Sequence, residues 1–374
     1  MIIKNSYVFT EEGKFEREDI FINGEFFSDN ILNTKDQEII DGQGYYAIPG
    51  LIDIHFHGAN GYDFCDGTEE AIKAIADYEL KNGITTICPA TMTLGLDKLA
   101  EISKAAANYN NHCGAELIGI NMEGPFISES KKGAQDSKYI KSPDIDDFRE
   151  LQNLSEGLYK LVTIAPELDG TMEFIKELKD EVAISIGHTS ANYSVAMKAF
   201  ENGAKQVTHL YNAMTSFSHR EPGIVGAAFD NDNVMVELIC DGVHVHPSII
   251  RSTFKTFGED RIILISDSMR ATGLSDGKYE LGGQKVQVNG NKATLINGGA
   301  IAGSVTNLMD CFRYAVKEAC IPLESVVKAS TKNPAKAIDI YDKYESISNR
   351  KYANLILLDK DLNIIKIIYK GKLH

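Results

Sequence analysis

Pro49-Gly-Leu-Ile-Asp-Ile-His-Phe-His-Gly58 is the stretch of sequence from which the fold can be worked out. Its apolar residues favour a β-strand and its Pro-Gly pair marks the entry, so one buried strand is predicted over 48–57. Side chains alternate along a strand, which points His55 and His57 to the same face. Two imidazoles on one face suit a divalent metal, although hydrogen-bonded core histidines would give the same pattern.

Apolar runs that are typical of strands alternate with helical patterns on either side of this stretch and beyond it. The predicted strands are 48–57, 83–93, 117–123, 161–167, 182–188, 206–209, 234–243 and 261–267. The predicted helices between them are 69–81, 97–108, 172–179, 193–201 and 247–257. Eight strands with crossover helices predict an α/β fold with a (β/α)8 TIM-type barrel, and the alternative is a doubly wound open sheet.

Both ends of the chain are rich in short β-like pieces. Asn23-Gly24 is a hairpin signal within the first 47 residues, and 353–359 and 364–369 repeat the pattern near the end. We therefore expect a small β-sandwich domain from 1–47 plus 348–374, and a barrel from 48–347. A further hairpin over 279–296 and helices over 304–320 and 322–339 complete the prediction.

Composition excludes several classes of protein. The 374 residues are 43% hydrophobic and 24% charged, which is typical of a soluble globular chain. The net charge of −15 argues against a nucleic-acid or membrane surface, and no apolar run has the length of a membrane span. The start lacks the pattern of a secretion signal, and the six scattered cysteines lack C-x-x-C spacing. We expect a cytoplasmic protein in which Cys88 and Cys240 are reduced core residues.

Ionisable side chains stand at the ends of the predicted strands. In chain order they are His55, His57, Glu123, His188, His209, His244 and Asp267. Each alone could be a structural cap or a core residue, but barrel active sites lie at the carboxyl ends of the strands. Nitrogen and oxygen ligands without thiolate suit Zn²⁺, Fe²⁺, Mn²⁺ or Co²⁺. The pattern predicts metal-assisted hydrolysis, with Asp267 as the residue that takes a proton from water.

These residues stand within longer motifs that carry a resemblance. The motifs are Met122-Glu-Gly-Pro-Phe126, Ile186-Gly-His-Thr189, Thr208-His-Leu-Tyr-Asn-Ala-Met214, Arg220-Glu-Pro-Gly223, Asp241-Gly-Val-His244, Ser266-Asp267 and Ala302-Gly-Ser304. With them, the chain resembles the amidohydrolase superfamily, and closely the N-acetylglucosamine-6-phosphate deacetylases, over essentially its whole length. The resemblance implies hydrolysis of N-acetylglucosamine 6-phosphate to glucosamine 6-phosphate and acetate.

The resemblance also implies a set of metal ligands. Glu123, His188 and His209 would hold one divalent ion, and His55 and His57 would hold a second with Glu123 as the bridge. One or two ions per subunit are therefore expected. Many amidohydrolases bridge two metals with a carboxylated lysine on strand four, but that strand ends in Ala-Pro-Glu here. This departure argues against hydantoinase-like and dihydroorotase-like activities.

Substrate contacts follow from the resemblance in the same way. Arg220 and His244 are the expected phosphate partners, assisted by Asn212 and the backbone of Ala213. In the family this arginine is thought to reach the neighbouring subunit's site, which implies a homodimer. A surface salt bridge to Glu221 is the alternative role for Arg220.

The acetamido end of the substrate is expected near Ala134, Gln135 and Ile301. Several relatives have a histidine where this chain has Gln135, and that histidine is credited with polarising the amide carbonyl. Glutamine donates a neutral hydrogen bond but cannot become cationic, so carbonyl activation would depend more on the metal.

Two other functions compete with this reading. One is another amidohydrolase activity, such as deacetylation of a different N-acetylamino-sugar phosphate or hydrolysis of a cyclic amide. The other is a catalytically silent barrel that acts as a sensor or scaffold. A silent barrel predicts damaged ligand positions, whereas every expected position is filled here.

Overall fold

A computed structural model describes residues 1–30, 38–110 and 114–374 of the chain. Its strands are β1 (Ile2–Phe9), β2 (Phe15–Asn23), β3 (Phe26–Ser28), β4 (Ile39–Asp41), β5 (Tyr46–Pro49), β6 (Leu51–Asp53), β7 (Gly58–Ala59), β8 (Tyr62–Asp63), β9 (Ile84–Ile87), β10 (Glu116–Leu117), β11 (Ile120–Glu123), β12 (Tyr159–Ile164), β13 (Ala183–Ile186), β14 (Gln206–Val207), β15 (Met235–Ile239), β16 (Ile262–Ile265), β17 (Gly277–Leu281), β18 (Gln284–Asn289), β19 (Lys292–Leu295), β20 (Leu355–Leu358), β21 (Ile364–Tyr369) and β22 (Lys372–Leu373). Its α-helices are α1 (Glu69–Lys81), α2 (Leu96–Asn108), α3 (Ile145–Leu154), α4 (Thr171–Leu178), α5 (Tyr193–Asn202), α6 (Gly223–Phe229), α7 (Pro247–Phe257), α8 (Leu308–Lys317), α9 (Leu323–Ser330) and α10 (Lys332–Ala337).

The two ends of the chain meet in one sheet. Its order is β22-β21-β20-β5-β1-β2-β3, and β4 also pairs with β1. Apolar residues from both ends, including Ile3, Ile22 and Leu355, pack in a common cluster beneath it. The hairpin turn at Asn23-Gly24 joins β2 to β3 as expected. A sandwich of two layers and the domain boundaries after residues 47 and 347 stay predictions.

Parallel strands occupy the middle of the chain and form a curled arrangement. One sheet has the order β10-β9-β6, and a second runs from β11 to β16 in chain order. At one edge between the sheets the backbone N–H of Asn121 donates to the Pro89 carbonyl over 2.9 Å. At the other edge the N–H of Asp267 donates to the His55 carbonyl over 2.9 Å. Complete closure into a barrel stays a prediction.

The predicted single strand over 48–57 is wrong, because the chain changes sheets at Gly50. β5 pairs with β20 and β1 in the terminal sheet, whereas β6 pairs with β9 in the parallel sheet. A Cβ atom at Gly50 would lie 2.3 Å from the Thr85 hydroxyl oxygen, so only glycine allows this close crossing. β6 ends at Asp53, and His55 and His57 follow it in irregular backbone.

Two helices begin and end at the predicted residues, and each has a residue at its first turn that favours a helix start. α1 and α7 have the predicted bounds; Thr68 caps α1, and Pro247 occupies the first turn of α7. The prediction missed α3, although the side chain of Asp144 accepts from the backbone N–H of both Asp146 and Asp147 there. It also missed α6, which begins at a glycine. The helix predicted over 322–339 divides into α9 and α10 at Thr331.

The interior is apolar and its thiols are unpaired. Cys88 and Cys240 are buried free cysteines, as predicted, while Cys113 lies outside the described residues. Within the described ranges, no helix combines the length and apolar character needed to cross a membrane. The predicted hairpin is present as the antiparallel strands β17 to β19, with Asn289-Gly290 at a turn.

Candidate active site

A cavity of about 280 Å³ lies where the carboxyl ends of the parallel strands converge. Eleven of the thirteen predicted site residues line it: His57, Glu123, Ala134, Gln135, His188, His209, Asn212, Ala213, His244, Asp267 and Ile301. Met92 and Leu281 add apolar wall, and Leu281 ends the first strand of the hairpin. Of the two remaining predicted residues, His55 is wholly buried behind the cavity, and Arg220 lies on an exposed loop outside it.

Glu123, His188 and His209 bring three ligand atoms together. Oε1 of Glu123 lies 3.0 Å from Nε2 of His188 and 3.1 Å from Nε2 of His209. The two Nε2 atoms lie 3.0 Å apart. Ligand atoms around a tetrahedral divalent ion are separated by about 3.3 Å. These three atoms therefore have nearly the spacing of a coordination shell.

The two histidines after β6 complete a second group around the same carboxylate. Nε2 of His55 lies 3.3 Å from Oε1 of Glu123, and Nε2 of His57 lies 3.3 Å from its Oε2. His57 Nε2 also lies 3.2 Å from Oδ1 of Asp267. Glu123 thus faces histidines with both oxygens, as a bridging carboxylate would.

The charges of the cluster depend on one another. Burial alone would raise the pKa of Glu123, but His55 and His188 hold that pKa well below its usual range. Burial works to lower the pKa of His57, yet its contacts with Asp267 and Glu123 raise it to about 10. The pKa of Asp267 is lowered despite burial, chiefly by His57, so Asp267 is a carboxylate at neutral pH.

Buried donor atoms show that the cluster fits a cation. Nε2 of His55 is buried and has no hydrogen-bond partner among the described residues. His188 donates its Nδ1 proton to the Lys131 carbonyl over 2.9 Å, which leaves the Nε2 lone pair directed at Glu123 and His209. Lone pairs that converge beside a carboxylate are a stable arrangement when a divalent metal lies between them.

Strained backbone turns three of these side chains into the cavity. His188, His209 and Asp267 have φ angles of 45°, 30° and 50°, in the left-handed region. Such conformations cost about 1–3 kcal/mol each for residues with a side chain and are concentrated at functional sites. The chain keeps this strain at three of the points where a strand end leads into the cavity.

The other end of the cavity is built around His244. Its Nδ1 donates to Oδ2 of Asp241 over 2.7 Å, and Oδ1 of Asp241 accepts from the backbone N–H of Val243 and His244. Although burial lowers the pKa of His244, Asp241 raises it overall. Asn212 is held by its side-chain nitrogen against the carbonyls of His209 and Leu210.

The loop that carries Arg220 leaves this arginine without an ion pair. Among the ion pairs of the described residues, none includes Arg220, and Glu221 instead accepts from the backbone N–H of Tyr193 over 3.1 Å. The alternative salt bridge between Arg220 and Glu221 is therefore not formed. The Arg220 side chain is exposed and has no ion-pair partner among the described residues.

Sequence reasoning missed Glu237, which lies in the middle of β15 and has no exposed surface. Its Oε2 lies 2.8 Å from Nδ1 of His55. A signal was available, because Val234-Met-Val-Glu-Leu-Ile239 places a charged residue inside an apolar strand.

Sequence reasoning also missed the contacts of Gln135. Its side-chain nitrogen donates to Oε2 of Glu123 over 2.7 Å, and its side-chain oxygen accepts from the Thr93 N–H over 2.7 Å.

Comparisons with known proteins place this geometry in context. Residues 46–374 match the model of the amidohydrolase family. N-acetylglucosamine-6-phosphate deacetylase of Bacillus subtilis is 36% identical over 381 residues, with coverage of 100% of this chain and 93% of that protein. N-acetylgalactosamine-6-phosphate deacetylase of Escherichia coli O157:H7 is 31% identical, with coverage of 87% and 86%. The solved structure of a mutant N-acetyl-D-glucosamine-6-phosphate deacetylase from Mycobacterium smegmatis, in complex with N-acetyl-D-glucosamine 6-phosphate, is similar with a TM-score of 0.92, 30% identity and coverage of 100% and 98%.

Proposed function

The chain belongs to the amidohydrolase family, and we propose that it hydrolyses the acetamide of N-acetylglucosamine 6-phosphate to give glucosamine 6-phosphate and acetate. The observation that carries this proposal is Glu123, whose two carboxylate oxygens lie between four histidines at the floor of the cavity. An amide needs strong activation before water attacks it, and this cluster has the donor set to supply a divalent metal.

The metal set comprises five residues, in two groups that share Glu123. Glu123, His188 and His209 would hold one ion, and His55, His57 and the same carboxylate would hold a second. A divalent cation bound there polarises the amide carbonyl and makes the attacking water more acidic. Zn²⁺, Fe²⁺, Mn²⁺ and Co²⁺ all suit these nitrogen and oxygen donors.

Asp267 is the proposed catalytic base. It is ionised at neutral pH and lies at the cavity wall, so it can accept a proton from the attacking water on a carboxylate oxygen. The same oxygen then returns the proton to the nitrogen of the departing amine. His57 Nε2 lies 3.2 Å from Oδ1 of Asp267, which places this carboxylate beside the proposed metal ligands.

Gln135 has a different proposed role from the one that the resemblance implies. Its amide oxygen accepts from the Thr93 N–H, so its nitrogen must face Glu123. We therefore propose that Gln135 positions the bridging carboxylate, while carbonyl activation depends on the metal. Direct contact of Gln135 with the substrate stays a prediction.

The phosphate end is proposed to be completed by a second copy of the chain. His244 lines the cavity with Asn212 and Ala213. The single positive charge of a protonated His244 would only partly balance a phosphate dianion. Arg220 is exposed and unpaired, and it lies outside its own cavity. A homodimer in which Arg220 reaches the neighbouring site would supply a guanidinium that binds two phosphate oxygens.

Three further proposals concern the architecture and location. The two parallel sheets would form one closed (β/α)8 barrel; the hydrogen bonds at both of their edges support this closure. The terminal sheet would form the predicted second domain. The enzyme would act in the cytoplasm, which separate assays of cell fractions would test.

A substrate panel tests the proposed function. The full chain, loaded in turn with Zn²⁺ and Mn²⁺, is incubated with N-acetylglucosamine 6-phosphate, its galactosamine epimer and unphosphorylated N-acetylglucosamine. We expect acetate and the free amine in equal amounts, with the highest kcat/KM for N-acetylglucosamine 6-phosphate. Preference for the epimer would favour the second candidate, an N-acetylgalactosamine-6-phosphate deacetylase like the Escherichia coli relative. No acetate from any sugar would reject both.

A further inference from the structure

A buried carboxylate lies directly behind the proposed metal site and belongs to none of its ligands. Glu237 is in the middle of β15, between Val236 and Leu238, and has no exposed surface. An ionised carboxylate in an apolar sheet is costly unless hydrogen-bond donors surround it. The described chain provides three: Nδ1 of His55 at 2.8 Å, the side-chain nitrogen of Gln206 at 2.6 Å and the backbone N–H of His209 at 3.0 Å.

The contact between Glu237 and His55 determines which nitrogen of the imidazole is protonated. A carboxylate only accepts hydrogen bonds, so Nδ1 of His55 carries the proton and donates it to Oε2 of Glu237. Nε2 then presents a lone pair to the cavity side, where it lies 3.3 Å from Oε1 of Glu123. This is the tautomer that a histidine ligand needs in order to bind a metal through Nε2.

The other histidine of the pair has no such support. Nδ1 of His57 is buried without a hydrogen-bond partner among the described residues. His55 is therefore the fixed member of the pair, and its orientation depends on Glu237. Because Oε2 of Glu237 also accepts from the backbone of His209, one oxygen connects a ligand of the first metal group to a ligand of the second.

We propose that Glu237 is a positioning residue that sets the affinity of the His55–His57 group for a divalent ion. The charged acceptor at Nδ1 fixes the tautomer and direction of His55 and makes Nε2 a stronger ligand, which a neutral amide in its place would do only weakly. It also holds His55 at a constant distance from His209. This inference rests on the proposed function, since it assigns a role within the same metal-dependent site. Glu237 itself touches neither the cavity nor the substrate.

The test is a Zn²⁺ titration of the metal-depleted full chain, with metal content measured per chain and a competing chelator to give affinities. The wild type is expected to bind two ions. Glu237→Gln should weaken the ion held by His55 and His57 by about 10- to 100-fold and leave the ion held by Glu123, His188 and His209 unchanged. Gln206 can rotate its amide to suit the new glutamine, so the variant removes the charge with little change in shape.

A double-mutant cycle separates positioning from general structural support. In a His55→Gln background the ion that His55 holds is already lost, so adding Glu237→Gln should change Zn²⁺ binding no further. Asp241→Asn is the matched control, because it removes the carboxylate from the other imidazole–carboxylate pair, at His244, and should leave both Zn²⁺ affinities unchanged. Should Glu237→Gln fail to fold, Glu237→Asp keeps the charge with a shorter side chain and is expected to weaken the same ion.

Three results would overturn the inference: a wild-type chain that binds a single ion, a folded Glu237→Gln variant that binds both ions with wild-type affinity, or a loss of affinity for the remaining ion when Glu237→Gln is added to His55→Gln. Acetate release by the wild type is measured separately. If the wild type binds two ions but releases no acetate, the proposed function fails while the role of Glu237 is still decided by the titration.

Discussion

The two ends of the cavity differ in how completely one chain builds them. At the metal end, the five proposed ligands and Asp267 are buried, and Glu123 contacts four imidazoles within 3.3 Å. At the phosphate end, His244 forms an ion pair with Asp241 over 2.7 Å, and Arg220 lies outside the cavity. The proposed function therefore assigns hydrolysis to residues of one chain and assigns phosphate recognition to residues of two chains.

This contrast has a physical basis. Metal ligands must be held to within a few tenths of an ångström, which buried strand ends and hydrogen-bonded imidazoles achieve. A phosphate group carries charge that a mobile arginine can reach from another surface. Changes at the metal end should therefore alter kcat or metal content, and changes at the phosphate end should alter KM.

The largest effect is expected from Asp267→Asn. Asparagine keeps the shape of the side chain but cannot accept the proton from water, so kcat should fall by about 10²- to 10⁴-fold. Metal content and KM should change little. Steady-state kinetics with acetate detection would measure this, and a variant with near-normal kcat would show that another group is the base.

The next largest effect is expected from Arg220, which we propose to act in the neighbouring subunit's site. Arg220→Ala should raise KM for N-acetylglucosamine 6-phosphate by about 10- to 100-fold, the loss of one charge-assisted contact, with kcat nearly unchanged. The unphosphorylated sugar should show no difference. Arg17→Ala, at an exposed arginine in β2, is the matched control.

Mixed dimers test whether Arg220 acts on the neighbouring subunit's site. An Arg220→Ala chain has an intact metal end, and an Asp267→Asn chain has an intact Arg220. If Arg220 acts across the interface, co-refolded mixtures should regain low-KM activity that neither variant shows alone. A mixture that only averages the two parents would place Arg220 outside the neighbouring site.

Gln135→Ala tests whether that residue belongs to the metal end. Losing the hydrogen bond to Oε2 of Glu123 should weaken metal binding by about tenfold while KM stays near that of the wild type. Gln135→Glu would place a second carboxylate beside Glu123 and serves as the charge control. A raised KM with unchanged metal affinity would return Gln135 to the substrate-binding role.

The smallest effect is a shift in pH dependence at His244. Asp241 raises the pKa of His244, so the cationic imidazole that attracts phosphate persists to higher pH and is lost as pH rises through that raised pKa. In Asp241→Asn this support is absent, and KM should begin to rise at a lower pH. KM measured between about pH 6 and 9 would show the shift. Superimposed profiles for wild type and variant would contradict it.

The sequence predicted which of these residues meet in the cavity, because that grouping follows from strand direction. Parallel strands bring their carboxyl ends to one side, so His188, His209 and Asp267 could be grouped from their positions after apolar runs. The change of sheet at Gly50 could not be predicted in this way, because it depends on pairing with β20, some 300 residues further along the chain.

Local conformation and buried partners were also beyond sequence reasoning. The left-handed φ angles of His188 and His209 are imposed by surrounding structure against the intrinsic preference of these residues. Glu237 stood out as a charge inside an apolar strand, but its contact with His55 spans 182 positions in the chain. Arg220 could be assigned only through resemblance, since an exposed arginine has no periodic pattern that marks it.

The most direct test of the central claim is to restore metal to the depleted chain and follow acetate release. N-acetylglucosamine 6-phosphate and N-acetylglucosamine are assayed side by side. The account predicts that turnover of the phosphorylated sugar rises with metal content per chain, while the unphosphorylated sugar stays far slower even at full metal content. A fully loaded protein that releases no acetate from the phosphorylated sugar, or that hydrolyses both sugars equally well, would contradict it.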